Sequence, residues 1–173
     1  MEPTPPVLLE PVHVDARQTL ANLIELYAHD LSVAFEVDIG ADGRFGYDRL
    51  DRYFSAPETH FAYFIRRGGG LAGFALVTRG SPASDDPHVL DVAELFVLRR
   101  HRRARVGHEA VHQLFAERPG HWIVRVSETN VGALGFWREV IAAYVGSSVT
   151  PTPFDGKRHR FDVYKFDSPA RST

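Results

Sequence analysis

Between Asp91 and Trp137 one turn constrains the fold more than any other part of the chain. Five arginines (Arg99, Arg100, Arg102, Arg103, Arg105) fall within seven residues. An apolar strand pattern, Val92 to Leu98, runs into this turn, and Gly107 opens an amphipathic helix pattern after it. A second strand pattern, Trp122 to Ser127, is followed by Asn130 and a helix pattern carrying Ala133 and Trp137. A strand feeding a cation-rich turn onto a helix start suits a doubly charged phosphate. The turn's N–H groups and the helix dipole both face an anion there, and arginine adds fork-shaped donors.

The flanking sequence extends this pattern into a domain. Val7 to Val14 reads as a strand broken by Pro11. Asp15 is placed to cap a helix running to about Ala34, with Leu20, Leu23, Ile24, Tyr27 and Leu31 at helical spacing. Val37 to Gly46 is a loop, and Tyr47 to Phe54 a short helix presenting Leu50 and Tyr53. Phe61 to Arg66 and Leu71 to Thr78 form a hairpin across Gly68-Gly69-Gly70, and Ser81 to Pro87 is a turn cluster. Tyr144 to Val149 and His159 to Phe166 read as terminal strands around a Pro151–Gly156 loop. Strands and helices in this mixed order predict an α/β domain around one central sheet, and 173 residues suffice for a single domain, 1–173.

A competing motif sits inside the same stretch. His108-Glu109-Ala110-Val111-His112 spells H-E-x-x-H, in which two imidazoles four residues apart meet one zinc while the glutamate activates water. The apolar stripe of this helix is Gly107, Ala110, Val111, Leu114 and Phe115. At helical spacing His108 and His112 lie about 100° and 140° from its centre, toward solvent. A third ligand has only isolated candidates, Glu128 or Glu139. The expectation is no metal, with a zinc hydrolase kept as a minor alternative.

The arginine turn accounts for more residues. Val97-Leu98-Arg99 followed by Arg102-Arg103-Ala104-Arg105-Val106-Gly107 resembles the segment of the GNAT acetyltransferase superfamily in which a strand meets a phosphate turn. Asn130-Val131-Gly132-Ala133-Leu134-Gly135-Phe136-Trp137 resembles its second motif, in the right order and spacing around a strand. The chain looks closest to a bacterial branch of predicted acetyltransferases with an "FWR" segment. There are departures. Arg99 stands at a usual proline, and Arg105 at the motif's first glycine, where it must accept φ > 0 or shift the turn. Trp137 stands at the tyrosine that often protonates the departing thiolate, and indole is no acid.

The resemblance implies a GNAT fold, a mixed and mostly antiparallel sheet flanked by helices. It also implies acetyl-CoA as cosubstrate and N-acetyl transfer to a primary amine, carried by a small molecule or a peptide. A bulge in the strand before the turn would free backbone N–H groups near Val97 and Leu98 for the pantetheine arm and the carbonyl. Arg99 and Arg102 to His108 would surround the pyrophosphate, with Asn130 and Trp137 beside the cofactor. Oriented donors at a developing oxyanion are usually the largest catalytic contribution.

Glu94 is the candidate base, because it is the lone charge in Val92 to Leu98 and apolar surroundings raise a carboxyl pKa. Tyr144 is the candidate acid. In this family the linker between the first two helices shapes the acceptor site; here it carries Glu36, Asp38, Asp42, Asp48 and Asp51, which would attract a cationic amine. An acyl-CoA-binding module without catalysis is the alternative function.

Composition bounds the rest. A net charge of −2 gives no support to nucleic acid as a partner, and the absence of cysteine removes disulfides and thiolate chemistry. No apolar run is long enough to span a bilayer, and Met1 to Pro6 lacks the features of a signal peptide, so no membrane partner and a cytoplasmic location are expected. The terminal strands offer an edge for pairing, which leaves monomer and homodimer open.

Overall fold

A computed structural model describes residues 5–170. Met1 to Thr4, most of the segment behind the signal-peptide argument, lie outside the described residues. The elements run β1 (Val7–Pro11), a 3-10 turn (Val14–Ala16), α1 (Arg17–Phe35), α2 (Arg52–Ser55), β2 (His60–Arg67) and β3 (Gly70–Arg79). They continue with β4 (Leu90–Val97), a second 3-10 turn (Arg99–His101), α3 (Val106–Glu117), β5 (Gly120–Ser127), α4 (Val131–Val145), β6 (Thr152–Asp155) and β7 (Arg160–Ser168).

Seven strands form one sheet in the order β1-β2-β3-β4-β5-β7-β6. All neighbours are antiparallel except β4 and β5, which α3 connects as the crossover a parallel pair requires. Helices cover both faces. On one face Leu20, Leu23 and Ile24 of α1, with Leu50 and Tyr53, pack on Phe64, Phe74, Leu76 and Phe96. On the other, Val111, Leu114 and Phe115 of α3 and Trp137, Val140 and Ile141 of α4 pack on Ala75, Val77, Val92 and Val124. Strand β3 is sealed from both sides, which is why Ala72 to Val77 reads as an almost unbroken apolar run. Among the described residues no helix is long and apolar enough to cross a membrane.

Three elements differ from expectation. Asp15 does not cap α1; it lies in the 3-10 turn, and the residue before α1 is Ala16, with no side-chain cap. The expected Tyr47–Phe54 helix is α-helical only from Arg52 on, as Arg52–Ser55. Tyr144 to Val149 is not a strand. Tyr144 is in the last turn of α4, which stops where Gly146 takes φ 83° and donates its N–H to Ala142 O. Strand β6 lies within the expected Pro151–Gly156 loop instead, and its Pro153 is tolerated because β6 is the sheet's edge.

Candidate active site

The site begins with one extra residue in β4. Leu76 pairs with Glu94 but Val77 pairs with Val92, so Ala93 is a bulge. Strict alternation would point Glu94 to the same side as Val92, into the α3–α4 core. The bulge resets the phase, and Ala93, Phe96 and Glu94 all face α1. Beyond the bulge the sheet opens. Strands β4 and β5 pair only over Leu90–Val92 and Trp122–Val124. Where they part, a cavity of about 940 Å³ is lined by β4, β5, the arginine turn and the N-terminal ends of α3 and α4, with α1 on its other side.

Glu94 lines this cavity. Its carboxylate accepts hydrogen bonds from the hydroxyls of Tyr27 at 2.5 Å and Tyr47 at 3.1 Å. Burial raises its pKa, and the two tyrosine hydrogen bonds oppose that rise without cancelling it. Burial and the nearby carboxylate push both tyrosine hydroxyls well above their ordinary range. Asp91, fully buried three residues earlier in β4, accepts a 2.7 Å hydrogen bond from Arg125 Nε and leaves its Oδ1 without a partner.

At the other end lies the arginine turn. Arg103 and Arg105 take left-handed backbone, φ 60° and 59°. Arg105 therefore accepts the conformation expected of glycine. The first helical bond runs from Glu109 N to Arg105 O, so the N–H groups of Val106, Gly107 and His108 lack an intrahelical acceptor. With two left-handed residues just before them, these N–H groups form a concavity suited to an anion. Gly107 sits in a crowded place: a Cβ there would lie 3.2 Å from the Phe136 ring, which would have to give by a few tenths of an ångström.

The arginines divide into two sets. Arg99 and Arg102 are both tied to the Asp30 carboxylate of α1, and Arg102 Nε also donates to Val97 O at 2.8 Å. Burial would raise the Asp30 pKa, but these two guanidiniums outweigh it and hold the carboxyl low. Arg103 and Arg105 have no ion-pair partner among the described residues.

Most of the expected site residues meet here. Val97, Arg99, Arg102, Arg103, Arg105, Val106, Gly107, His108, Asn130 and Trp137 all line the cavity with Glu94. Asn130 also caps α4, accepting from Ala133 N at 3.3 Å, and Trp137 is at once wall and core. Leu98 and Ala104 do not line it. The Leu98 N–H is taken by Ala72 O at 2.9 Å, while Ala104 packs toward Val7 and Ala110. Tyr144 is not on the cavity either. Its position on α4 places the hydroxyl 2.7 Å from Ser168 Oγ, against Phe115.

The two histidines do not face solvent as expected, because α4 packs over that side of α3. His112 Nε2 is 3.0 Å from Val140 O, and His108 lies edge-on to Phe136 with Glu139 Oε1 at 3.3 Å. No cluster of three possible metal ligands occurs among the described residues.

None of Glu36, Asp38, Asp42, Asp48 and Asp51 lines the cavity; Asp51 pairs with Arg17 at 2.6 Å on the outer side. Tyr27, Tyr47, Arg49, Asp91 and Arg125 were not singled out as site residues. Arg125 carries the same signal as Glu94, a single charge in the apolar pattern Trp122 to Ser127, and could have been found by it. Tyr27 was hidden in an apolar helical stripe, where a tyrosine reads as core.

A bulged strand, an opened sheet and an anion-shaped turn at a helix start define the acyl-CoA-dependent transferase class of fold. The sequence profile of the acetyltransferase (GNAT) family matches residues 21–141, and the chain belongs to that family. Among curated proteins none matches it. An acetyltransferase from Streptococcus agalactiae 2603 is similar in structure, with TM-score 0.69 at 12% identity over 94% of this chain and 96% of that one. Spermidine N-acetyltransferase from Vibrio cholerae, in complex with CoA and spermine, gives 0.61 at 9% identity over 94% and 95%. The yncA protein of Salmonella typhimurium, with its cofactor acetyl-CoA, gives 0.62 at 10% identity over 96% of each chain. At such identities these likenesses establish the fold.

Proposed function

We propose that this chain transfers an acetyl group from acetyl-CoA to a primary amine, with Glu94 as the base. One observation carries the reading. A half-buried carboxylate with a raised pKa and an anion-shaped turn with two unpaired arginines share one continuous cavity.

In this reading Arg103, Arg105 and the N–H groups of Val106, Gly107 and His108 hold the pyrophosphate. Arg99 and Arg102 brace the turn against Asp30. Backbone groups of β4 from Ala93 to Phe96, not paired with β5, face the pantetheine arm and the thioester carbonyl, while Val97 O is taken by Arg102. Asn130 and Trp137 form the opposite wall. A neutral amine attacks the carbonyl carbon; the C–N bond forms and the C–S bond breaks. The nitrogen gives a proton to Glu94, directly or through water, and the CoA thiolate takes its proton from solvent. Neither Trp137 nor Tyr144 supplies that proton, the first by chemistry and the second by position. We read residues 1–173 as one cytoplasmic domain, monomeric or homodimeric, acting without metal, nucleic acid or membrane.

The test is to incubate the protein with acetyl-CoA and a panel of amines and follow thiol release. CoA alone should raise the melting temperature, by RT ln(1 + [L]/Kd) in free energy. Binding of CoA without turnover on any amine would favour the acyl-CoA-binding module. No binding at millimolar CoA defeats the reading.

A further inference from the structure

The acceptor end of the cavity is cationic. Two guanidiniums bear on Glu94 there: Arg125 from β5, held by Asp91, and Arg49 from the turn before α2. The Asp91 carboxylate offsets Arg125 through the guanidinium Nε. The Arg49 side chain has no ion pair and no hydrogen bond among the described residues, and its carbonyl accepts from Arg52 N. Its backbone is nonetheless fixed. Tyr47, two residues earlier, is bonded to Glu94, and Leu50, the next residue, is 6% exposed in the α1 core. The side chain is thus anchored at its base and open to solvent at its tip. Its field is felt: the rise that burial imposes on the Glu94 carboxyl is held back by the two tyrosines and then by Arg49 and Arg125, and the His60 imidazole, lowered first by burial, is lowered further by Arg52 and Arg49. The intervening walls are apolar, with Leu31, Phe35 and Phe161.

A polycation entering this end would meet two guanidiniums and one carboxylate already bonded by two tyrosines. A molecule with an amine at one end and an anion at the other fits both charges. Resting on the acetyl-transfer reading above, we infer that the acceptor is an aminocarboxylate or aminophosphonate-type molecule whose anionic group is bound by Arg49 with the free Nη atoms of Arg125. Guanidinium presents a planar fork that matches such oxyanions in two parallel hydrogen bonds. The amine then lies toward Glu94 and the Ala93 bulge, and the apolar walls take an aliphatic or aromatic body. This assignment replaces the acidic-linker expectation, since those carboxylates lie elsewhere on the molecule.

The experiment uses matched acceptors with acetyl-CoA and thiol release: apolar α-amino acids, their carboxamides, the matching aminophosphonates, and spermidine. The acids should exceed their carboxamides about 10- to 100-fold in kcat/KM, the size of one charge-assisted contact. The ratio of acid to phosphonate identifies which oxyanion is read. Arg49→Gln should erase most of the acid preference, raising KM for the acid while CoA binding, read by thermal shift, is kept. Arg49→Glu should turn the preference toward spermidine. Equal use of acid and carboxamide by the wild-type chain, or a preference for spermidine, overturns the inference while leaving acetyl transfer standing. So does an Arg49→Gln variant that loses acid and carboxamide turnover equally. Failure to bind CoA overturns acetyl transfer itself, and the inference with it.

Discussion

Replacing Glu94 by Gln separates chemistry from structure because the two effects have opposite signs. The glutamine amide keeps the size of the side chain. Its oxygen can accept from one tyrosine hydroxyl, and its NH₂ can donate to the other, so the contacts at 2.5 Å to Tyr27 and 3.1 Å to Tyr47 have counterparts. What disappears is proton acceptance. A positioned base contributes roughly 10²–10⁴ in rate, or about 2.7–5.4 kcal/mol at 1.36 kcal/mol per decade, so turnover should fall by that factor. Stability should move the other way. Burial raises the Glu94 pKa in the folded chain, so the folded state binds this proton more tightly than the unfolded one. The stabilisation from that proton is complete below the unfolded pKa and is lost as pH rises through the folded pKa. At neutral pH the native side chain is therefore a burden that Gln lacks, and the variant should melt at or above the wild-type temperature. Wild-type kcat/KM should rise with pH through an acidic limb displaced above the usual carboxylate range; the variant should lack that limb. The assays are thiol release against pH with a working acceptor and thermal unfolding over the same range. Near wild-type turnover in Glu94→Gln, with the acidic limb intact, would refute the assignment and leave Glu94 a structural partner of the tyrosines.

Other perturbations follow from the same geometry. Arg103→Ala should weaken CoA about tenfold or more, from loss of one charge-assisted contact, with the melting temperature nearly unchanged, as isothermal titration and thermal shift would show. Gly73→Ala places a Cβ 1.9 Å from Phe96 O, against backbone that cannot yield, so the β3–β4 pair should part and soluble folded protein should be lost in expression and circular dichroism. Asp91→Ala leaves the Arg125 guanidinium on the cavity wall without its carboxylate, costing about 1.5–3 kcal/mol in denaturant unfolding, the size of one charge-assisted hydrogen bond. His112→Ala should leave metal content and turnover unchanged and EDTA should do nothing, because the imidazole is engaged with Val140 O; stoichiometric zinc lost on this change would revive the H-E-x-x-H reading.

Sequence periodicity exposed the features that depend on a residue's neighbours in the chain. The β2–β3 hairpin and the β4–turn–α3 unit were legible because a run of apolar letters or a glycine cluster has a local physical cause. What escaped depends on partners far along the chain. Tyr144 and Val145 favour a strand locally, yet α4 carries them because its apolar face docks on β5 and β7 and Gly146 ends it. His108 and His112 were assigned to solvent from the α3 stripe alone; the helix pattern could not register that α4 covers the flank of that stripe.

The bulge at Ala93 sharpens the contrast. Glu94 is conspicuous in the sequence as a lone charge, but alternation from Val92 points it into the sealed α3–α4 core, where an unpaired carboxylate would be expelled. The bulge takes Ala93 out of the alternation and so delivers Glu94 to Tyr27 and Tyr47, 67 and 47 residues away in the chain. The same shift opens the sheet at the point where β4 and β5 part, so the cavity and its base have a single origin. A site in this chain is thus a change of strand phase. Removing Ala93 should do more than lose a methyl group. It should straighten β4 into a regular ladder, with Val92 and Glu94 as neighbours opposite Val77 and Leu76, so Glu94 keeps the α1 face while the bulge that parts β4 from β5 is lost. The deletion variant should fold by near-ultraviolet circular dichroism yet lose the CoA-induced thermal shift that Ala93→Gly, which keeps the residue count, retains.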